Sequence, residues 1–121
     1  MAEFIYLYHN TPQERDAAMG SPEAAQRNMT RWMEWMRGLE QGGHLKSAGQ
    51  PLEKGGKVVR GGSGKGIITD GPFVEIKDVV GGYSIIEAKD LAEAAELAKG
   101  CPALDGPNGA VEVRPVMKMD F

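Results

Sequence analysis

The chain of 121 residues has one cysteine, two histidines and no run of 18 apolar residues, and each shortage removes a class of protein. Cys101 alone cannot close an intrachain disulfide or build a thiolate zinc site. His9 and His44 stand in no HExxH pattern and beside no compact carboxylate cluster, so no metal and no cofactor are expected. Without a long apolar run, no membrane span is expected. The amino end, MAEFIYLYHN, has no basic region ahead of its short apolar stretch, which argues against a secretory leader and for the cytoplasm. Positive charge is not in excess: 14 Lys and Arg face 17 Asp and Glu, a net charge of −3. A domain that grips phosphate backbones is usually basic, so nucleic acid is not the expected partner. The length fits one domain over residues 1–121 and is enough to bury a core without staples.

Glycine, in contrast, is abundant. There are 17, and ten of them fall between residues 49 and 82. Short β-like pieces, Val58-Val59 and Ile67-Ile68-Thr69, sit in this stretch, which therefore reads as a hairpin or irregular excursion with glycine turns. Gly62-Ser63-Gly64-Lys65-Gly66 lacks the Ser or Thr that must follow Gly-Lys in a phosphate loop and reads better as a hairpin tip. Lys54, Lys57, Arg60 and Lys65 make the region locally basic. Arg60 and Lys65 are its anion-binding candidates, against the plainer reading of a solvated charge set.

The regular elements read cleanly on either side. Phe4-Ile5-Tyr6-Leu7-Tyr8 is a strand with Phe4, Tyr6 and Tyr8 on one face and Ile5 and Leu7 on the other. Neither face is polar, which predicts a central strand covered on both sides. Asn10, Thr11 and Pro12 read as a loop. Ser21-Pro22-Glu23 starts a helix, with a capping hydroxyl, a proline in the first turn and an acid at the positive end of the dipole. Ala25, Met29, Trp32, Met36 and Leu39 form one stripe on it, widened by Met33 and Trp35, and Gly42-Gly43 ends it. Gly38 lies inside, a position that close packing against a neighbour would explain. A second strand, residues 82–88, leads to a helix capped by Asp90 and Glu93. Leu91, Ala94, Ala95, Ala98 and Cys101 share one face of that helix, and Gly100 and Pro102 stop it. Residues 111–116 alternate as a last strand, and Pro115 places its end at a sheet edge.

This order, β-α-β, glycine-rich excursion, β-α-β, predicts a ferredoxin-like α+β fold: an antiparallel sheet with two helices on one face. The other face would carry an exposed apolar set, the usual mark of an interface. A homodimer joined sheet to sheet is therefore expected; the alternative is that residues 49–82 fold back over the sheet.

Candidate chemistry is sparse. His9 and His44 are candidate general bases, or surface and capping histidines. Ser63 and Ser84 lack visible histidine and acid partners. Cys101, at a helix end whose dipole disfavours a thiolate, reads as a buried small residue. Trp32, Trp35 and Met36, with Tyr6, Tyr8 and Tyr83, are the candidates for an adaptable apolar pocket, against a plain core reading.

Asp70-Gly71-Pro72-Phe73 forms a turn in which the Asp70 carboxylate can accept a main-chain N–H. Residues 70–77, DGPFVEIK, resemble the DGPF-x-E-x-K signature of the YCII-related (DGPF) family. Gly82-Tyr83-Ser84-Ile85-Ile86-Glu87-Ala88, Ala98-Lys99-Gly100-Cys101-Pro102 and Val111-Glu112-Val113-Arg114-Pro115 are similar to its later blocks. The resemblance covers residues 1–117 and is strongest from 69 onward. It implies a fold of the dimeric α+β barrel type, and most members have no established activity. Some accompany extracytoplasmic-function sigma factors, and a few relatives handle intermediates of aromatic degradation. Short bacterial members carry a proposed His–Asp pair. By hand alignment the His falls at Trp32 and the Asp at Cys101, so the resemblance does not imply an acid–base enzyme here.

Three functions follow. The first is a non-catalytic homodimer that binds a small organic ligand or a partner. The second is a cofactor-independent lyase or isomerase of small organic acids. It would use His44 or His9 as base, Asp70 to orient it, and Arg60 or Lys65 to hold a carboxylate. The third, from family analogy alone, is an accessory protein linked to sigma-factor regulation.

Overall fold

The four strands that form the main sheet pair antiparallel in the order β2-β5-β1-β6. They are β1 (Ala2–Asn10), β2 (Leu45–Ser47), β5 (Val79–Ala88) and β6 (Ala110–Pro115). The computed structural model describes residues 1–62, 66–71 and 79–120. With its helices on one face, this is a ferredoxin-like α+β arrangement, as the element order predicts. Strand β1 is central, flanked by β5 and β6. It buries Phe4, Tyr6 and Tyr8 completely or nearly so under the helices. Ile86 and Ser84 of β5 lie opposite Phe4 and Tyr6 and are equally buried.

The long helix α2 (Pro22–Gln41) begins where its sequence signal lies: the Ser21 hydroxyl accepts from Ala24 N at 3.1 Å. It ends at Gly42, and Gly43 takes a left-handed φ of 77° that a side chain would disfavour. Trp32, Trp35, Met36 and Leu39 pack toward the core. Met33 does not. It is 55% exposed, because it lies a quarter-turn beyond the stripe rather than within it. Gly38 has no neighbour within 4 Å of a notional Cβ among the described residues, so close packing is not its explanation.

The segment Asn10, Thr11 and Pro12, expected as a loop, instead joins two elements directly: Asn10 ends β1, Thr11 caps a helix and Pro12 begins it. In α1 (Pro12–Ala18) the Thr11 hydroxyl accepts from Glu14 N at 3.1 Å, and Pro12 occupies the first turn. Helix α3 (Leu91–Ala98) is capped by Asp90, whose carboxylate accepts from Glu93 N at 2.8 Å. Its buried side is Ala94 and Ala98 with Leu97 beside them; Leu91 and Ala95 face out. Cys101 lies past the helix and caps a 3-10 turn, Pro102–Asp105, accepting from Ala103 N at 3.4 Å.

The glycine-rich excursion contains β3 (Gly56–Arg60) and β4 (Ile67–Gly71), which pair with each other in a separate two-stranded sheet. Val59, Ile67 and Ile68 are exposed there. The face of the main sheet opposite the helices carries Ile5 opposite Ile85 and Leu7 opposite Tyr83, all half-buried. Polar groups rim it: Lys46 donates to Glu3 at 2.5 Å, and His9 meets Glu112 at 3.0 Å. Among the described residues, no helix is long and apolar enough to cross a membrane.

Candidate functional site

Aromatic packing at one end of the sheet builds the site. Tyr8 and Trp32 meet edge to face with ring centroids 4.7 Å apart. Trp35, one turn further on, stacks on Tyr6 at 5.9 Å and donates through Nε1 to Leu97 O at 3.2 Å. Tyr6 in turn donates to Ala94 O at 2.5 Å. The Tyr8 hydroxyl donates to Ser84 Oγ at 2.8 Å, and Ser84 passes the chain on to Ala48 O at 2.7 Å. The polar ring atoms of Tyr6, Tyr8 and Trp35 therefore each have a partner, as burial demands. Burial raises both tyrosine pKa values well above the ordinary 10, so the phenols stay protonated.

Beside this cluster opens a cavity of about 780 Å³. Its walls come from the end of β1, from α1, from α2 between Ala24 and Met36, from the start of β5 and from the 3-10 turn. Tyr8, Trp32 and Met36 give it an apolar side, with Met29 at the rim. Arg15, Arg31, Glu14 and Asp105 give it a charged side. The loop after β2 closes it, which requires Gly49: its φ is 70°, and a Cβ there would collide with the Tyr83 carbonyl.

Of the six apolar candidates from sequence, Tyr8, Trp32, Met36 and Tyr83 border the cavity. Tyr6 and Trp35 do not; they belong to the core behind it. The acid–base candidates are dispersed. His44 follows α2 and donates from Nδ1 to Glu87 O at 2.8 Å. His9 lies on the opposite sheet face with Glu112. Asp70 is on β4, its side chain 87% exposed and paired with Lys57 at 2.5 Å. None of the three borders the cavity, and neither does Arg60 on β3. Lys65 and residues 72–77 of the signature segment lie outside the described residues.

Cys101 is 2% exposed. Burial pushes its thiol up to about 12, against small opposing effects of the Ala103 N–H and Arg31. Desolvation is thus the main cause that keeps it neutral. Among the described residues, no group of three His, Cys, Asp or Glu is placed to hold a metal ion.

A comparison against protein families finds that residues 3–120 match the YCII-related domain. The chain belongs to the YCII-related family. A relative of this YCII-related chain, an uncharacterized protein of Rhizobium meliloti (strain 1021), is 34% identical over 59 residues. That match covers 49% of the present chain, which spans about half the length of this curated relative, 48%.

Sequence reasoning missed the charged wall of the YCII-related cavity. Glu14 and Arg15 are on α1, a helix that the sequence reading did not assign. The signal was available: Thr11-Pro12-Gln13-Glu14 has a capping hydroxyl, a first-turn proline and an acid three residues on, much as Ser21-Pro22-Glu23 announces α2.

Proposed function

We propose that this YCII-related protein is a binding protein for a small organic ligand and that it works as a homodimer joined through the open sheet face. The observation that carries the ligand reading is the cavity of about 780 Å³ with Trp32, Tyr8 and Met36 on one wall. A cleft of this volume, mostly apolar with a few polar groups, is the usual form of a small-molecule site. Binding without turnover is favoured because His9 and His44 are both engaged away from the cavity. A general base must come within about 3 Å of the proton it removes. The carboxylates on the wall are engaged as well: Glu14 accepts from Asn108 Nδ2 at 2.6 Å, and Asp105 pairs with Arg31.

The homodimer reading is supported by the paired apolar rows Ile5–Ile85 and Leu7–Tyr83, half-buried within a polar rim. The ligand reading is tested with 1-aminoanthracene, an uncharged fluorescent probe of apolar clefts. Saturable uptake at one site per protomer, abolished in Trp32→Ala, is expected. Absence of saturable uptake by the folded wild-type protein overturns it.

A further inference from the structure

Among the described residues, three cationic side chains border the cavity: Arg15, Arg27 and Arg31. Arg31 is paired with Asp105, and Arg27 is exposed at the rim. Arg15 is different. It lies on α1 with its guanidinium packed inward, where a Cβ on Gly81 would stand 3.3 Å from Nη1. Nη2 donates to the main-chain carbonyl of Leu52, while Nη1 is buried and finds no acceptor among the described residues. The acids on either side of it in sequence are used elsewhere: Glu14 accepts from Asn108 N and Nδ2, and Asp16 pairs with Lys54. A guanidinium is always charged, and one that is withdrawn from water is normally matched by an anion. Here the chain supplies none among its described residues, and Arg15 is one of the residues that line the cavity.

We propose that Arg15 is the anion-recognition residue of this cavity and that the ligand is a small monoanion. Its carboxylate takes the place of the missing counter-ion of Arg15. Its apolar, planar body lies against Trp32, Tyr8 and Met36. The proposal rests on the ligand-cavity reading above and names the ligand's class. The planar fork of arginine matches a carboxylate with two N–H donors, and such charge-assisted bonds are stronger than neutral ones. Packing against Gly81 and the bond to Leu52 hold the group in place beforehand, so little side-chain freedom is lost on binding. One inward-packed cation without a counter-ion calls for one negative charge, since Arg27 is exposed to solvent; a second negative charge would face Glu14 and Asp105 across the same space.

The test uses displacement of bound 1-aminoanthracene by three related compounds: 2-naphthoate, 2-naphthamide and 2-naphthyl phosphate. The carboxylate is expected to displace the probe at concentrations about tenfold or more below the amide, a ratio in the range of one charge-assisted contact. Arg15→Gln removes that advantage and leaves the amide unchanged; Arg27→Gln leaves the advantage intact. In the wild type, added salt weakens the carboxylate and not the amide, a readout that needs no variant to fold. Equal displacement by carboxylate and amide, or an advantage that survives in folded Arg15→Gln, overturns the assignment of Arg15 while leaving the apolar cavity in place. Tighter binding of the phosphate overturns the monoanion. If 1-aminoanthracene is never taken up, the cavity reading itself falls.

Discussion

The indole of Trp32 meets the ring of Tyr8 edge-on, at 4.7 Å and an interplanar angle of 79°. This pair joins helix α2 to the central strand and at the same time forms the apolar wall of the cavity. Trp32→Ala is therefore expected to lose both stability and probe binding. Trp32 is only half-buried, so the stability cost should be about 2–3 kcal/mol, at or below the usual range for deleting a core aromatic. Urea denaturation of the two proteins measures it; Trp32→Phe should recover more than half of the loss.

Stability should be flat from neutral pH to about 9 and fall above it. The Cys101 thiol is raised from its ordinary 9.0 to about 12, and the Tyr6 and Tyr8 phenols are raised above their ordinary 10.0. Between those limits the unfolded chain releases protons that the folded chain keeps. Unfolding is then favoured as pH rises. Denaturation midpoints at pH 7, 9 and 10.5 check this, with a clear drop expected only at the last. For the same reason, a thiol reagent at pH 8 should leave Cys101 untouched in the folded protein and label it rapidly in denaturant.

Gly38→Ala should stabilise the protein by about 1 kcal/mol. Gly38 is inside α2, and a methyl group there meets nothing within 4 Å among the described residues. The gain comes from lower backbone entropy in the unfolded chain, without a new contact. Thermal melting of the two proteins shows the direction directly, and a destabilised variant would contradict the open space at this position.

Light scattering at micromolar concentration should give twice the chain mass of 13.0 kDa. Leu7→Glu or Ile85→Lys should return it to 13.0 kDa with the circular dichroism unchanged, because both residues lie on the sheet face away from the helices. Tyr6→Glu should instead unfold the chain: Tyr6 is fully buried, and an unpaired charge there costs several kcal/mol. A 13.0 kDa wild type would remove the sheet-to-sheet dimer.

Local chemistry dictated most of the elements. Ser21 with Pro22, Asp90 with Glu93 and the alternation of Phe4, Tyr6 and Tyr8 each act over a few residues, so they can be read in one dimension. Stripe edges are less legible. One helical position turns the side chain by about 100°, and this separates exposed Met33 from Trp32, which packs on Tyr8. The candidate site was legible by half. Trp32, Tyr8 and Met36 were visible as an aromatic and methionine cluster, while the dispersal of His9, His44 and Asp70 was not.

Arg15 marks the boundary between the two kinds of information. Its place on a helix follows from Thr11, Pro12 and Glu14, a few residues away. That its guanidinium lies against Gly81 and bonds to Leu52, and that the residue lines the same cavity as Trp32, depends on separations of 66, 37 and 17 residues of chain. Residue type and periodicity carry no record of such distances. They arise only when the chain folds and the main chain of β5 comes against α1, which places a charged residue beside the cavity.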